Sequence, residues 1–385
     1  MTYTTYIHIG HGKTGTSAIQ SALALAKHDL RLRGIIYPVN EYTEKKAVEF
    51  KITSGNWVPD ISLPEQLLEA KQHYGSSFNS VVFSSEQLFW KINQISEIPI
   101  NQRREINPHI ILAVREIEEM LSAEHQQKVK RGGECCTFDE FISKVNFKSS
   151  HHTHAASVID DAKKSGIKIS IINYSTERRS IINKIFEIIG ANEAVPAELH
   201  TKIVNRSLSR HELSLICSIN QFFNKKIGTG TSDALVQELP QIAGNKGTLA
   251  LEAKQLIYEV NKQSLAAINS NLPIGSMLRT SPEQQSEATS LSTPETYMHE
   301  ETEHQSTALA IKTLSSILPR FTPPKLSAES IDIIRDVALK DGLPTELRIE
   351  LLKLTIFYRP NASRLKKILK QAINNLSSGK SRRAI

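Results

Sequence analysis

Cysteine, tryptophan and long apolar runs are all scarce in this sequence of 385 residues. Its three cysteines, two of them adjacent at Cys135 and Cys136, include no Cys-x-x-Cys pair, which argues against a disulfide framework. No apolar run approaches the roughly 20 residues that a membrane-spanning helix needs. The first residues also lack the basic start and apolar region of a secretory signal, so we expect a cytoplasmic protein.

Acidic residues are missing from the C-terminal end of the chain. Residues 351–385 hold nine Lys or Arg residues and no Asp or Glu, whereas residues 280–308 hold six Glu and no Lys or Arg. The net charge of +7 is therefore mainly a property of the tail, and it does not predict a nucleic-acid partner for the rest of the chain. The polar composition of residues 276–308 indicates an acidic flexible linker.

Short apolar runs alternate with helical patterns in the part of the chain before this linker. The predicted strands lie at 6–9, 34–37, 81–83, 108–114 and 167–173. Strands that alternate with helices favour an α/β fold with a mostly parallel sheet flanked by helices. We expect an α/β domain over 1–275, the linker over 276–308, and a helical C-terminal region with a basic tail over 309–385.

The first predicted strand leads into a glycine-rich loop and then into an Ala/Leu-rich helix. Three glycines give the loop little steric bulk: Gly10, Gly12 and Gly15. Such a loop aims backbone N–H groups at one point, where the helix dipole favours an anion. One lysine and three hydroxyl side chains add further donors: Lys13, Thr14, Thr16 and Ser17. The loop therefore predicts a site for a phosphate or sulfate group.

One alternative is a dinucleotide site, because Gly10-x-Gly12-x-x-Gly15 matches the dinucleotide fingerprint. That site calls for an acidic residue on the ribose about 20 residues further on. The next predicted strand ends without an acid, and the first acid after it is Glu41. A lone glycine pattern of this kind is weak.

A second alternative is a small-molecule kinase with a P-loop that binds ATP and magnesium. Gly12-Lys13-Thr14 matches the end of a Walker A loop, but Ile7 stands where that motif needs its first glycine. Such an enzyme also needs an acid after a later strand to hold magnesium, and Glu86 keeps this alternative open. A structural glycine turn that binds nothing is the remaining alternative.

The stretch 12–17, Gly-Lys-Thr-Gly-Thr-Ser after a strand, resembles the 5′-phosphosulfate loop of the sulfotransferases that use 3′-phosphoadenylyl sulfate (PAPS). That loop typically reads Pro-Lys-Ser/Thr-Gly-Thr-Thr/Ser, and here Gly12 replaces the usual proline. The resemblance implies PAPS as the donor, with a P-loop-like phosphosulfate loop formed by Gly12, Lys13, Thr14, Gly15, Thr16 and Ser17. It implies no metal, because a sulfuryl group carries less charge than a phosphoryl group and the loop lysine can serve.

A second segment resembles the part of these sulfotransferases in which a strand-end Arg and a helix Ser bind the 3′-phosphate. Here these residues are Arg115 and Ser122. An Arg suits the role because its planar fork pairs two phosphate oxygens at once. The separation is one residue shorter than is usual in the family, and Ala123 stands at the expected place. Because one residue turns a helix by about 100°, either the helix begins one residue differently or Ser122 is not the ligand.

Glu86 resembles the carboxylate that acts as the base in bacterial carbohydrate-type sulfotransferases. Transfer needs a group that takes the proton from the acceptor hydroxyl as it attacks sulfur. The resemblance implies an acceptor hydroxyl on a carbohydrate, as part of a glycan or glycolipid, with Lys13 and Glu86 as the catalytic residues. Three histidines are alternative bases, with the loop residue first: His11, His8 and His125.

Other residues carry weaker patterns. Tyr174 follows a strand where related enzymes place a Tyr against the nucleotide, and Arg206 offers a further phosphate contact. The three histidines at 151, 152 and 154 have no Cys or acid at ligand spacing, so we expect a solvated loop rather than a metal site. A non-catalytic nucleotide-binding scaffold, whose basic tail recruits an acidic partner, is the alternative outside the enzymes.

Overall fold

The computed structural model describes residues 3–51, 53–147, 150–197, 206–223, 225–244, 247, 249–282, 299–317, 327–340 and 342–381. They belong to two compact units, each assembled from several stretches of the chain. The first unit comprises Met1–Glu124, Phe138–Asn205 and Lys246–Leu291. The second comprises His125–Thr137, Arg206–Asn245 and Ser292–Ile385. The units thus interleave along the chain, whereas the sequence predicted consecutive domains.

The first unit contains a five-stranded sheet in which each described pair of strands is parallel. The strands are β1 (Thr4–Gly10), β2 (Ile35–Ile36), β3 (Ser80–Ser84), β4 (Pro108–Val114) and β5 (Lys168–Asn173). Their order across the sheet is β2-β3-β1-β4-β5, so β1 lies in the middle. This sheet, flanked by helices, confirms the predicted α/β class.

Burial along the strands explains why the sequence identified them. Every residue of β3 and β4 is buried, which is typical of parallel strands covered on both faces. The edge strand β5 is buried only toward its end, at Ile172 and Asn173. The register pairs His8 with Ser84 and Gly10 with Ala113, so the ends of these strands lie at one edge of the sheet.

The α-helices of the described residues are numbered in chain order. They are α1 (Thr16–Leu25), α2 (Lys27–Leu32), α3 (Glu41–Val48), α4 (Leu63–Tyr74), α5 (Ile100–Ile106), α6 (Ile117–Gln127), α7 (Phe138–Lys144), α8 (His151–Lys164), α9 (Tyr174–Glu177), α10 (Ile181–Ile188), α11 (Arg210–Phe222), α12 (Lys225–Glu238), α13 (Leu251–Asn269), α14 (His299–Ile317), α15 (Ala328–Leu339), α16 (Thr345–Tyr358) and α17 (Ser363–Ser381). A π-helical turn, Lys128–Gly132, continues α6.

One face of the sheet is covered by α1 and α10. Ile19 and Leu23 of α1 are fully buried in a cluster that also contains Val82, Ile111 and Phe186. Burying each of these side chains contributes on the order of 1.5–3 kcal/mol. The packing fixes the axis of α1, and with it the direction in which the N-terminus of this helix points.

The second unit is helical where it is described. Residues of α11, α12 and α14 share one apolar core, which includes Ile216, Leu235 and Ala310. Because these helices come from distant parts of the sequence, one core joins residues 206–245 to the C-terminal stretch. Inside the unit, Arg206 and Glu212 form a buried ion pair with two hydrogen bonds of 2.7 Å each.

The predicted linker falls partly outside the described residues, since residues 283–298 are not among them. Residues 299–308, which the sequence assigned to the linker, instead belong to α14, and Ser306 is buried. The hydroxyl of Ser306 donates to the Glu212 carboxylate at 3.2 Å, so this stretch takes part in the fold of the second unit. Among the described helices, none is long and apolar enough to cross a membrane.

Candidate functional site

Polar residues follow four strands at one edge of the sheet. The glycine loop follows β1, Glu86 follows β3 by two residues, Arg115 follows β4, and Tyr174 follows β5. Ligands of open parallel sheets bind beyond the carboxyl ends of the strands. The candidate site is built at this edge, and all of these residues belong to the first unit.

The glycine loop is fixed to the neighbouring strand β4 by its backbone. The N–H of His11 donates to the carbonyl of Ala113 at 3.0 Å. A β-carbon at Gly10 would lie 2.7 Å from the same carbonyl oxygen, so only glycine allows this close approach. The hydroxyl of Thr14 donates to the His11 carbonyl at 2.7 Å and closes the turn.

The loop ends in a geometry that leaves donors for an anion. Helix α1 begins at Thr16 after Gly15, whose φ of 79° is left-handed, and no side chain caps the helix. The hydroxyl oxygen of Thr16 is buried and has no hydrogen-bond partner among the described residues. A β-carbon at Gly12 would meet no atom within 4 Å, so the loop leaves open space there. These features fit a phosphate or sulfate group at the positive end of the helix.

Arg115 lies directly against this loop. Its Nη1 donates to the backbone carbonyl of Lys13 at 2.9 Å, across a separation of 102 residues in sequence. Tyr174 closes the same corner, because a β-carbon at Gly15 would lie 2.9 Å from its ring. The Arg115 guanidinium carbon lies 5.5 Å from the centre of the Tyr174 ring. The structure therefore brings together the residues that follow β1, β4 and β5.

A carboxylate that the sequence analysis missed orients the guanidinium. Oε2 of Glu119 accepts hydrogen bonds from Arg115 Nε at 3.1 Å, Arg178 Nη2 at 2.9 Å and the Ser175 hydroxyl at 3.0 Å. Burial lowers the pKa of Arg115, and the charge of Glu119 opposes that shift, so the guanidinium stays charged. The i, i+4 spacing of Arg115 and Glu119 was the available sequence signal.

Two histidines hold the backbone of Arg115 from both sides. The Arg115 N–H donates to Nδ1 of His11 at 3.3 Å, and the ring of His152 donates through Nε2 to the Arg115 carbonyl at 2.7 Å. The two rings lie 4.5 Å apart, centre to centre. Burial lowers the pKa of His152 to about 4 and lowers the pKa of His11 well below its ordinary value. Both rings are therefore neutral near pH 7.

The predicted solvated loop at the histidine segment is wrong. Ser150 caps α8 by accepting from the N–H of Thr153, so the histidines occupy the first turn of a helix. His152 is buried, and Nε2 of His154 donates to the carbonyl of Phe89 at 2.7 Å. Among the described residues, no group of three or more His, Cys, Asp or Glu side chains is placed to hold a metal ion.

Ser122 is buried in α6 and has a partner of its own. Its Oγ accepts from the N–H of Gly247 at 2.9 Å, which leaves the hydroxyl hydrogen to donate elsewhere. Ala123, at the position where the family resemblance places the serine, is also buried. A role of Ser122 in binding a 3′-phosphate stays a prediction.

Glu86 is the most accessible of the predicted bases. Its side chain is exposed, it does not cap the short helical turn Gln87–Trp90, and it has no ion pair among the described residues. His8 and His11 are fully buried, and His8 shares a hydrogen bond of 2.9 Å with Ser84. His125, in the second unit, bonds to the Cys136 carbonyl. Glu86 is thus the base candidate that an acceptor from solvent can reach.

Arg206 does not offer the further phosphate contact that the sequence analysis proposed. Its guanidinium pairs with Glu212 and also donates to the carbonyls of Ser207, Leu235 and Leu239. A guanidinium with this many internal partners is a structural group of the second unit.

The sequence matches no family model and no curated protein. Among solved structures, the chain is similar to a crystal structure of retinol dehydratase in a complex with retinol and PAP. The two are 12% identical, the match covers 76% of this chain and 84% of that chain, and the TM-score is 0.26. Similarity at that level carries no argument about function, so a functional assignment depends on the chain's own residues.

Proposed function

We propose that this protein is a sulfotransferase that moves the sulfuryl group of PAPS to a hydroxyl acceptor. The single observation that carries the proposal is the contact between Arg115 and the carbonyl of Lys13. It joins the residues that resemble the two nucleotide-binding segments of PAPS-dependent sulfotransferases. The loop and the guanidinium then meet at one edge of the sheet, as a nucleotide with phosphates at both its 5′ and 3′ positions requires.

In this proposal the donor is bound from both ends. The amides that begin α1, with the hydroxyls of Thr16 and Ser17 and the ammonium group of Lys13, hold the 5′-phosphosulfate. Arg115 holds the 3′-phosphate, aided by the remaining hydroxyl hydrogen of Ser122. The Thr14 hydroxyl is used within the loop, so Thr14, like Gly12 and Gly15, contributes through its backbone.

The chemistry is an in-line displacement at sulfur. The acceptor oxygen forms a bond to sulfur while the bond between sulfur and the bridging phosphate oxygen breaks. The proton of the acceptor passes to the carboxylate of Glu86, and the bridging oxygen leaves as part of adenosine 3′,5′-bisphosphate, stabilised by Lys13. Donors arranged in advance around a developing charge each contribute on the order of 3 kcal/mol to the transition state. No step of this scheme requires a metal ion.

The acceptor we propose is a carbohydrate hydroxyl, within a glycan or glycolipid. The likeness of the segment around Glu86 to carbohydrate-type sulfotransferases supports this choice, and so does the exposure of that carboxylate. The exposed base leaves room for an acceptor that is larger than the site itself.

Thermal unfolding in the presence of nucleotides tests the donor. We expect adenosine 3′,5′-bisphosphate to raise the Tm, because a ligand that binds only the folded state stabilises it. ATP with magnesium and NAD should leave the Tm unchanged. A shift with ATP and magnesium alone would favour the P-loop kinase, and a shift with NAD alone would favour a dinucleotide site. Binding of the bisphosphate without any transfer activity would favour the scaffold.

A further inference from the structure

A cavity of about 610 Å³ opens beside the end of β3, in the first unit. Its walls come from the residues that follow β2, from the segment 54–59, and from the helices α2, α3 and α4. A second cavity of about 620 Å³ shares Pro38, Asn56, Val58 and Tyr74 with the first, so the two adjoin. Small-molecule sites have volumes of this order.

The cavity wall is fastened to the strand end that carries Glu86. The hydroxyl of Ser85 donates to the carbonyl of Ser54 at 2.7 Å, and the N–H of Ser84 donates to the side chain of Asn56 at 2.8 Å. A β-carbon at Gly55 would lie 1.8 Å from the carbonyl oxygen of Ser84, so the contact requires glycine. Glu86 follows Ser85 directly, so the backbone that carries the proposed base is joined to the wall of the cavity.

The walls combine aromatic rings with neutral polar groups. Tyr37, Trp57 and Tyr74 provide the rings, and the amide nitrogen of Asn40 has no partner among the described residues. Among the described residues, no Asp or Glu lines the first cavity. It has two cations: Lys27 is paired with Glu44 at 2.6 Å, and the guanidinium carbon of Arg31 lies 5.4 Å from the centre of the Phe78 ring, which is not part of the lining. Such walls suit a neutral ring compound that presents C–H faces to aromatic rings and hydroxyl oxygens to amides.

We propose that this cavity is the acceptor site and that it takes a neutral sugar ring. The inference rests on the proposed function, since it assigns the acceptor for the transfer in which Glu86 is the base. A sugar held between Trp57 and Tyr74 presents a hydroxyl at the rim, where the carboxylate can take its proton. The cavity then decides which hydroxyl is sulfated, while the glycine loop and Arg115 bind only the donor.

The substitution Val58→Trp tests the site, because the side chain of Val58 lines both cavities and is 46% exposed. The backbone of this residue is bonded at both its N–H and its carbonyl to Gln66, and a tryptophan keeps those bonds. The matched control is Val48→Trp, at a valine that is 39% exposed in α3 and lines neither cavity.

A second variant leaves the cavity volume unchanged. The substitution Asn40→Asp keeps the side-chain oxygen that caps α3 by accepting from the N–H of Thr43 at 2.8 Å. It replaces the amide nitrogen with a carboxylate oxygen, so the cavity wall loses a hydrogen-bond donor and gains a negative charge. The probes are the neutral 4-nitrophenyl glycosides of glucose, galactose and N-acetylglucosamine, with 4-nitrophenyl glucuronide as the anionic comparison.

The measurement is the dissociation constant of each glycoside and of adenosine 3′,5′-bisphosphate, by NMR titration of the full chain. We expect at least one neutral glycoside to bind the unchanged protein. The substitution Val58→Trp should weaken that binding at least tenfold and Asn40→Asp several-fold, while Val48→Trp changes it less than twofold. Affinity for the bisphosphate should stay within twofold in all three variants.

Each other result overturns the inference in a recognisable way. If the bisphosphate binds but no neutral glycoside does, or Val58→Trp and Asn40→Asp leave the glycoside affinity unchanged, the cavity is not the acceptor site and the proposed function stands. If the glucuronide binds more tightly than the neutral glycosides, the inference that the cavity takes a neutral sugar is wrong. If the bisphosphate does not bind the unchanged protein, the proposed function fails and the acceptor site fails with it.

Discussion

The guanidinium of Arg115 lies 2.9 Å from the backbone carbonyl oxygen of Lys13. The contact uses the main chain of the loop and not the side chain of Lys13. The fold therefore holds the guanidinium of Arg115 against the loop that carries Lys13. That arrangement is what a ligand with two separate anionic groups needs, and it makes the two side chains separately testable.

The substitution Arg115→Ala should weaken the binding of adenosine 3′,5′-bisphosphate at least tenfold. It should weaken the binding of adenosine 5′-phosphate less than twofold. The reason is that charge-assisted hydrogen bonds contribute about 1.5–3 kcal/mol each, and only the first ligand has a 3′-phosphate. Isothermal titration of both nucleotides checks this. The control is Arg33→Ala, at an exposed arginine that pairs with Glu193. Equal losses for the two nucleotides would contradict a role at the 3′-phosphate.

Two substitutions at Lys13 separate its charge from its backbone strain. Lys13 has a left-handed φ of 66°, which costs a residue with a side chain about 1 kcal/mol. We expect both Lys13→Ala and Lys13→Gly to lower the transfer rate at least a hundredfold, because both remove the ammonium group. Urea unfolding should find the glycine variant more stable than the alanine variant by about 1 kcal/mol. Normal turnover in either variant would remove the loop from the mechanism.

The substitution Glu86→Gln should slow transfer about a hundredfold or more while the affinity for adenosine 3′,5′-bisphosphate stays the same. A general base contributes about 10²–10⁴ in rate, and the exposed side chain of Glu86 has no structural partner among the described residues to lose. Steady-state kinetics with a saturating donor checks the rate, with Glu187→Gln in α10 as an exposed control. An unchanged rate would move the base to another residue.

Unbroken apolar runs predicted the strands more closely than polar segments predicted the helices. The apolar run at 108–114 predicted β4 with its observed bounds, Pro108–Val114, since an unbroken run of this kind has few alternatives. The polar first turn of α8 predicted a solvated loop instead, and α12 contains two glycines, which disfavour a helix. A β-carbon at Gly228 would lie 1.9 Å from the Asn220 side chain, so a tertiary contact requires glycine at this position. Contacts of this kind leave no periodic signal in one sequence.

The candidate site was predictable only for the residues that directly follow strands. Parallel strands place such residues at one edge, which is why Lys13 and Arg115 could be expected to meet. The support around Arg115 depends on side chains from α6 and α8 that become neighbours only in the folded chain. Glu119 carried a spacing signal, but His152 carried none, because its burial follows from how α8 packs.

Acid should destabilise the protein between about pH 6.5 and pH 4. Burial lowers the pKa of His8 and of His152 to about 4, so across this window the unfolded chain binds more protons than the folded one. Stability must then fall as the pH falls, by up to about 1.4 kcal/mol per pH unit for each fully buried histidine. Urea unfolding at pH 5, 6 and 7 checks the slope. His8→Asn should reduce it, and identical slopes would contradict the assignment.

The ring of His152 donates a hydrogen bond of 2.7 Å to the carbonyl of Arg115. A leucine at position 152 cannot donate, and a buried carbonyl without a donor costs about 1–3 kcal/mol. We expect His152→Leu to shift the Arg115 backbone and to weaken the binding of adenosine 3′,5′-bisphosphate about tenfold. The side chain of glutamine carries an N–H at about the place of Nε2, so His152→Gln should restore the affinity to within about threefold.

A purely structural role for His152 predicts a different result for the same pair of variants. A general loss of stability would weaken the binding of adenosine 5′-phosphate as much as that of the bisphosphate, because both ligands need the glycine loop. If His152 instead positions Arg115, only the ligand that has a 3′-phosphate should lose affinity. Titration of both nucleotides into His152→Leu and His152→Gln therefore decides the matter. Equal losses in the leucine variant, or no recovery with glutamine, would mean that the hydrogen bond supports the fold and not the guanidinium.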